Sequence, residues 1–262
     1  MAQRRLWTRE EHILALSLYF QLPFGKLHTS TKEVAELAKL INRTVNSVAL
    51  RLVNYAACDP YILATGRHGM AAGAQQCMPY WNEFATQKET LFYEAEKIKA
   101  KLQGATIEET LLDNQKQELL NLTGKTREQL VKARVNQNVF RTIILTNYQS
   151  KCAITGIDIP DLLVASHIIP WADNEKERLN PSNGICLSSL YDRAFDKGLI
   201  AIDPNDYTVI LSRELLEHSH EEYFNNYFLG IQRKEIVKPI EYNPNPEFLQ
   251  YHIDNLSFAS KV

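Results

Sequence analysis

KCAITGIDIPDLLVASHIIPWADNEKERLNPSNGICLSSLYDRAFDKGLIAID, residues 151–203, is the stretch that decides the fold. Its run LLVASHII is short, apolar and β-branched, which predicts a strand with His167 near its end. Sixteen residues on, Asn183-Gly184 is a turn signal that brings the chain back into a second apolar run, GICLS. SSLYDRAFDKG then reads as a short capped helix, with Ser188 or Ser189 at its start and Gly198 just past its end. On that helix Asp192 and Asp196 stand one turn apart and point the same way. The two strands form a wide hairpin that draws His167 and Asn183 together.

The chemistry suggested by that order is phosphodiester hydrolysis. It requires an activated water, a cation at the scissile phosphate and stabilisation of the leaving oxygen. Histidine is the natural base near neutral pH. A carboxylate pair with open positions suits Mg²⁺ or Mn²⁺ and leaves room for phosphate and water. A lone strand histidine, or one Asp pair on a helix, is commonly structural; the ordered combination carries the reading.

Outward from this unit, composition sets limits. The 262 residues are 45% hydrophobic and 23% charged with a formal net charge of −2, as in a soluble globular protein of one large or two modest domains. Any nucleic-acid footprint is therefore local. No stretch approaches the roughly 18 apolar residues of a membrane span, and the start MAQRRLWTREEH has no apolar signal region. Cys58, Cys77, Cys152 and Cys186 are scattered without a CxxC pair, so the expectation is a cytoplasmic protein with reduced thiols and no structural zinc.

Three segments are expected. Residues 1–85 form a helical DNA-binding or regulatory module. TREEHILALSLYF opens a helix capped by Thr8, and KEVAELAKLI and VNSVALRLVNYAA form a pair across the turn NRT. The pair is helix-turn-helix-like, with Asn46, Ser47, Arg51 and Asn54 off the apolar face and able to meet DNA. GRHGMAAGA, residues 66–74, is expected as a solvated connector. Residues 86–128 form a helical linker in which Leu91, Ala95, Ile98 and Leu102 offer a seam for a homodimer. Residues 129–262 form the catalytic domain. Between Glu128 and Asp158 no acidic residue occurs, while Lys132, Arg134, Arg141 and Lys151 are basic. The first three are candidate phosphate contacts; Arg178, Arg193 and Lys197 are candidate clamps beside the scissile group. GLIAIDPNDYTVILS reads as a second hairpin. The tail, with LSRELLEHSHEEYF and EFLQYHIDNL, is expected to be helical and to cap the catalytic domain; His218, His220 and His252 lie in it, and the histidines of HSH are expected to be solvated.

RVNQNVFR, CAITG, ASHIIPW, NPSNGICLSSLYDRAFDKGLI and PNPEFLQYHIDNLSF together resemble the HNH, or ββα-metal, endonucleases, in particular bacterial proteins classed as putative restriction endonucleases. The resemblance implies an α+β protein, with the helical N-terminal module followed by a ββα-metal nuclease domain cutting double-stranded DNA. It gives His167 the role of general base, Asn183 that of holding the loop behind it, and Asp192 with Asp196 that of metal ligands. Asp192 stands where histidine is common, which implies a preference for harder cations. Ser166 stands where an acidic or histidine ligand is common, which leaves the rest of the metal shell open. Two other readings stay open: a DNA-binding protein with a degenerate HNH scaffold, and a defence effector nuclease silent until a partner or signal binds.

Overall fold

The computed structural model describes residues 5–255, which divide into two compact units, Met1–Val139 and Phe140–Val262. The first unit is helical. It contains α1 (Arg9–Gln21), α2 (Lys32–Leu40), α3 (Val45–Ala56), α4 (Pro60–Ala64), α5 (Ala74–Phe84), α6 (Lys88–Leu102), α7 (Asp113–Glu118) and the first part of α8 (Gly124–Asn147). Helix α1 starts where the sequence predicts. The Thr8 side chain accepts the Glu11 N–H while the Glu11 carboxylate accepts the Thr8 N–H at 2.9 Å, a reciprocal capping box. Ile13, Leu14, Ala15, Leu16 and Tyr19 of this helix are buried, and α1 packs on α3, α5 and α6. Leu91, Phe92, Ala95 and Ile98 of α6 are buried in the same unit. The face expected as a dimer seam is thus spent internally, while Leu102 is largely exposed.

The helical character of the N-terminal segment holds, but its expected DNA-facing side changes. Asn46 is exposed and Ser47 half-buried, whereas Arg51 and Asn54 are buried. The physical reason is the segment 66–74, which docks on α3 instead of standing in solvent. Met70 N–H donates to the Val53 carbonyl at 3.1 Å, and Asn54 Nδ2 donates to the Met70 carbonyl at 2.8 Å. At Gly69 a Cβ would lie 2.2 Å from Ala57 N, so only glycine permits this approach. Arg51 donates to Gln76 Oε1 at 2.9 Å and lies over Trp7, whose ring also carries Arg43. Its charge is absorbed by aromatic faces and amides of its own unit.

The second unit contains the end of α8, β1 (Leu163–His167), β2 (Gly184–Ser188), α9 (Ser189–Asp196), β3 (Ile200–Ile202), β4 (Val209–Leu211), α10 (Arg213–Leu216), α11 (Glu222–Tyr227) and α12 (Pro246–Asn255). Strands β1 and β2 pair antiparallel from Leu163 opposite Ser188 to His167 opposite Gly184, and β3 pairs with β4 in the expected second hairpin. Helix α9 packs against β1, β2 and β3, completing a ββα unit. Phe140, Ile143 and Ile144 of α8 are buried beneath it. Gly184 meets them closely, since a Cβ there would fall 2.4 Å from Ile144 Cδ1 and 2.6 Å from Phe140 Cζ. Gly198, at φ 62°, ends α9: its N–H donates to Phe195 O, and Leu199 N–H donates to Ala194 O. Ser188 occupies the N-cap without a capping hydrogen bond from its hydroxyl, and Ser189 Oγ donates to Leu162 O. In the tail His218 and His220 are exposed as expected, and His252 is buried at 1% exposure. The last three residues of PNPEFLQYHIDNLSF lie outside the described residues.

Burial pushes two histidines, His12 in the first unit and His252 in the second, down to about 4. In the unfolded chain both titrate near 6.5. Between these values the unfolded state binds protons that the native state refuses, so stability is present above pH 6.5 and lost as pH falls towards 4. Each site contributes on the order of 3 kcal/mol when fully neutral. Calorimetric melts from pH 7.5 to 5 are expected to show a falling Tm; a flat Tm would contradict the burial of these rings.

Candidate active site

The site is built at the open end of the first hairpin. His167 closes β1 and is half-buried, lying flat on Phe140 with ring centroids 3.7 Å apart and edge-on to Trp171 at 5.5 Å. Its Nε2 is 3.0 Å from the Arg178 carbonyl oxygen. A carbonyl only accepts, so Nε2 carries the proton and Nδ1 keeps its lone pair. Burial lowers the His167 pKa below the ordinary value; the bond to the carbonyl opposes this shift and the Arg178 charge adds to it.

Asn183 fixes that carbonyl in place. It is buried at 1% exposure. Its Oδ1 accepts the Ile169 N–H at 2.8 Å, and its Nδ2 donates to Ile169 O at 3.2 Å and Glu177 O at 3.1 Å. Its backbone carbonyl accepts the Ile168 N–H at 3.0 Å. The amide therefore ties the exit of β1 to the end of the long connection, one peptide before the carbonyl that holds His167.

On α9, Asp192 is half-buried and Asp196 lies towards solvent. Both pKa values are raised above the ordinary carboxylate value, chiefly by desolvation. For Asp192 the neighbouring Asp196 charge adds to the rise, while the Ser166 hydroxyl and Arg193 oppose it. The Ser166 hydroxyl is buried beside Asp192. Arg193 and Lys197, both exposed, lower Asp196. A half-buried carboxylate raised further by an exposed carboxylate one turn away is an electrostatic arrangement that a cation relieves.

A strand-borne histidine, an amide-locked connection and a helix bearing acidic side chains therefore lie in one ββα unit, and residues 152–203 match the family model described as HNH endonuclease. The segment is an HNH domain. No curated protein matches the chain.

The HNH domain brings His167 and Asn183 to one end of the hairpin and Asp192 beside Asp196, yet it does not join them all. Among the described residues no group of three His, Cys, Asp or Glu side chains is arranged to hold a metal. The expected phosphate contacts divide further. Arg178 donates to the Trp171 carbonyl at 2.7 Å, lies over the Trp171 ring and pairs with Glu175, so it braces the connection around His167. Arg141 donates to the carbonyls of Leu163 and Pro160 at 2.6 and 2.9 Å, anchoring the start of β1. In the first unit, Arg134 is paired with Glu118, and Lys132 lies 3.4 Å from Thr90 Oγ1. Arg51 is buried there as described above. Arg193 and Lys197 alone among these cations flank the carboxylates. Sequence reasoning missed the Phe140 ring under His167, although Phe140 lies in the stretch RVNQNVFR. The helical tail expected to cap this domain does pack on it through α12, with Leu249 and His252 buried, but the contact of His252 with Phe195 was not foreseen.

Asn183→Ala strips partners from one buried N–H and two carbonyls. With about 1–3 kcal/mol at stake per buried unsatisfied group, the expected loss is at least about 3 kcal/mol in urea unfolding of the second unit. A change below about 1 kcal/mol would show that the connection is held by other contacts.

Proposed function

We propose that the chain is a DNA endonuclease that hydrolyses phosphodiester bonds with Mg²⁺ or Mn²⁺ and acts in restriction or anti-phage defence. The observation that carries this reading is the fixed tautomer of His167. Nε2–H is spent on the Arg178 carbonyl, which leaves Nδ1 as a lone-pair acceptor. With its pKa held below the ordinary histidine value, the ring is neutral at pH 7 and ready to take a proton.

In this reading Nδ1 of His167 accepts a proton from the attacking water, and Phe140 and Asn183 keep the ring and its carbonyl partner aligned. Arg193 and Lys197 supply positive charge for the phosphate. The donor chemistry fits a hard divalent cation held by Asp192 with Asp196. Mg²⁺ commonly uses only one or two protein carboxylates and fills its shell with water and phosphate oxygens, so a third His, Cys, Asp or Glu ligand is not required. Such a cation supplies charge neutralisation at the phosphate and the leaving oxygen. The HNH domain supports a DNA substrate, which we take as double-stranded, and the resemblance of the C-terminal half to bacterial restriction proteins supports the defence role. The N-terminal helices would serve DNA or regulator binding. A cytoplasmic location agrees with four unpaired cysteines.

The test is cleavage of supercoiled plasmid and of methylated and hydroxymethylated phage DNA in Mg²⁺, Mn²⁺ or EDTA. Wild type is expected to cut only with metal, and His167→Ala, with its fold intact, to be slower by about 10²-fold or more. A folded His167→Ala protein that cuts like wild type would sink the assignment. The rate should also fall on acidification with a midpoint below 6.5, because only the neutral ring is a base. An unchanged rate down to pH 4 would remove histidine from the proton transfer.

A further inference from the structure

The family match ends at residue 203, yet the ββα unit is gripped from a segment well beyond it. Asn245 N–H donates to the Ser182 carbonyl at 3.0 Å, just before Asn183. Tyr251 Oη is 3.3 Å from Asp173 Oδ2 in the connection that follows β1. His252 reaches α9: its ring lies on Phe195 with centroids 3.6 Å apart and planes 11° from parallel, and its Nε2 is 3.0 Å from Phe195 O. The carbonyl can only accept, so Nε2–H donates. The same oxygen also accepts the Gly198 N–H that closes the helix. His252 therefore holds the residue immediately before Asp196 by both its side chain and its carbonyl.

Packing alone does not account for a histidine here. His252 Nδ1 is buried with no hydrogen-bond partner, a defect that a phenylalanine or leucine would avoid. What the apolar residues cannot supply is the N–H that reaches the last turn of α9. The geometry repeats that of His167, with a ring on a phenylalanine and Nε2–H on a backbone carbonyl, but in a sealed location.

We propose that His252 is a positioning residue, which through Phe195 sets the orientation of the α9 turn carrying Asp192 and Asp196 and so tunes the affinity of that carboxylate pair for a divalent cation. The inference rests on the reading of Asp192 and Asp196 as cation ligands. Groups that support a ligand from outside the coordination shell commonly cost about 10–100-fold in metal affinity when removed.

The test is direct binding of Mn²⁺ to the full chain, followed by the electron paramagnetic resonance of free Mn²⁺, with near-ultraviolet circular dichroism as the check on folding. Four proteins are compared: wild type, Asp192→Ala, His252→Phe and His252→Gln. His252→Phe keeps a ring on Phe195 and loses the donor; His252→Gln keeps a donor at the equivalent reach. The expected result is loss of binding in Asp192→Ala, about tenfold weaker binding in His252→Phe, and His252→Gln within about threefold of wild type. If His252→Phe binds like wild type while Asp192→Ala does not, the positioning role is overturned and the ligand reading stands. If wild type and Asp192→Ala bind alike, the ligand reading fails and this inference falls with it. Should His252→Phe not fold, Phe195→Leu replaces it, and unchanged Mn²⁺ affinity in that protein overturns the proposal.

Discussion

The carboxamide of Asn183 joins two stretches of backbone that the sequence separates, out of reach of water. Its Oδ1 accepts the Ile169 N–H, and its Nδ2 donates to Ile169 O and to Glu177 O. The next carbonyl, that of Arg178, is the one that receives the proton of His167 Nε2. The state of the His167 ring thus depends, through one peptide unit, on a buried amide. Buried amides are costly unless every donor and acceptor is used, and here all are. The connection can therefore be long and irregular without being loose.

Around that lock the unit uses stacked rings, each with a hydrogen bond from the histidine to a backbone carbonyl. His167 on Phe140 and His252 on Phe195 are the same device applied once at the hairpin and once at the helix. Gly184 lets β2 descend onto Phe140 and Ile144, so the support under His167 and the return strand share one packing layer. The charged groups that remain beside the carboxylates, Arg193 and Lys197, lie on the outer face of α9.

Much of the HNH domain was legible because its signals are local. The strand LLVASHII and the Gly-terminated helix each depend on residues within a few positions, and the i, i+4 placement of two aspartates needs only a helix. The expected Asn-Gly turn is instead a 3-10 turn at Pro181–Asn183, with Gly184 already extended in β2. The capping box at Thr8 was readable for the same reason. Partners distant in sequence were not. Arg51 and Asn54 read as surface residues of a helix until segment 66–74 covers them. Arg134 and Arg141 read as a basic strip, but one meets Glu118 and the other two carbonyls near β1. A count of charges in sequence cannot see where each guanidinium finds its acceptor. His252 carried no role in the sequence reading of the tail, although its spacing from Leu249 places both on one buried face.

The four thiols acquire a use from their placement. Cys58 and Cys77 are buried in the first unit, Cys152 and Cys186 in the second. Burial raises Cys58 to about 11 and Cys186 to about 12. Burial pushes Cys152 up as well, but hydrogen bonds with the Thr155 side chain and with amide hydrogens, among them the Ser188 N–H at 3.2 Å, outweigh it and hold the thiol below its usual range. None of these sulfurs meets an alkylating reagent in the closed protein, so each reacts only at the pace at which its surroundings open. The chain carries a clock in each half, and the identity of the modified cysteine names the half that breathed.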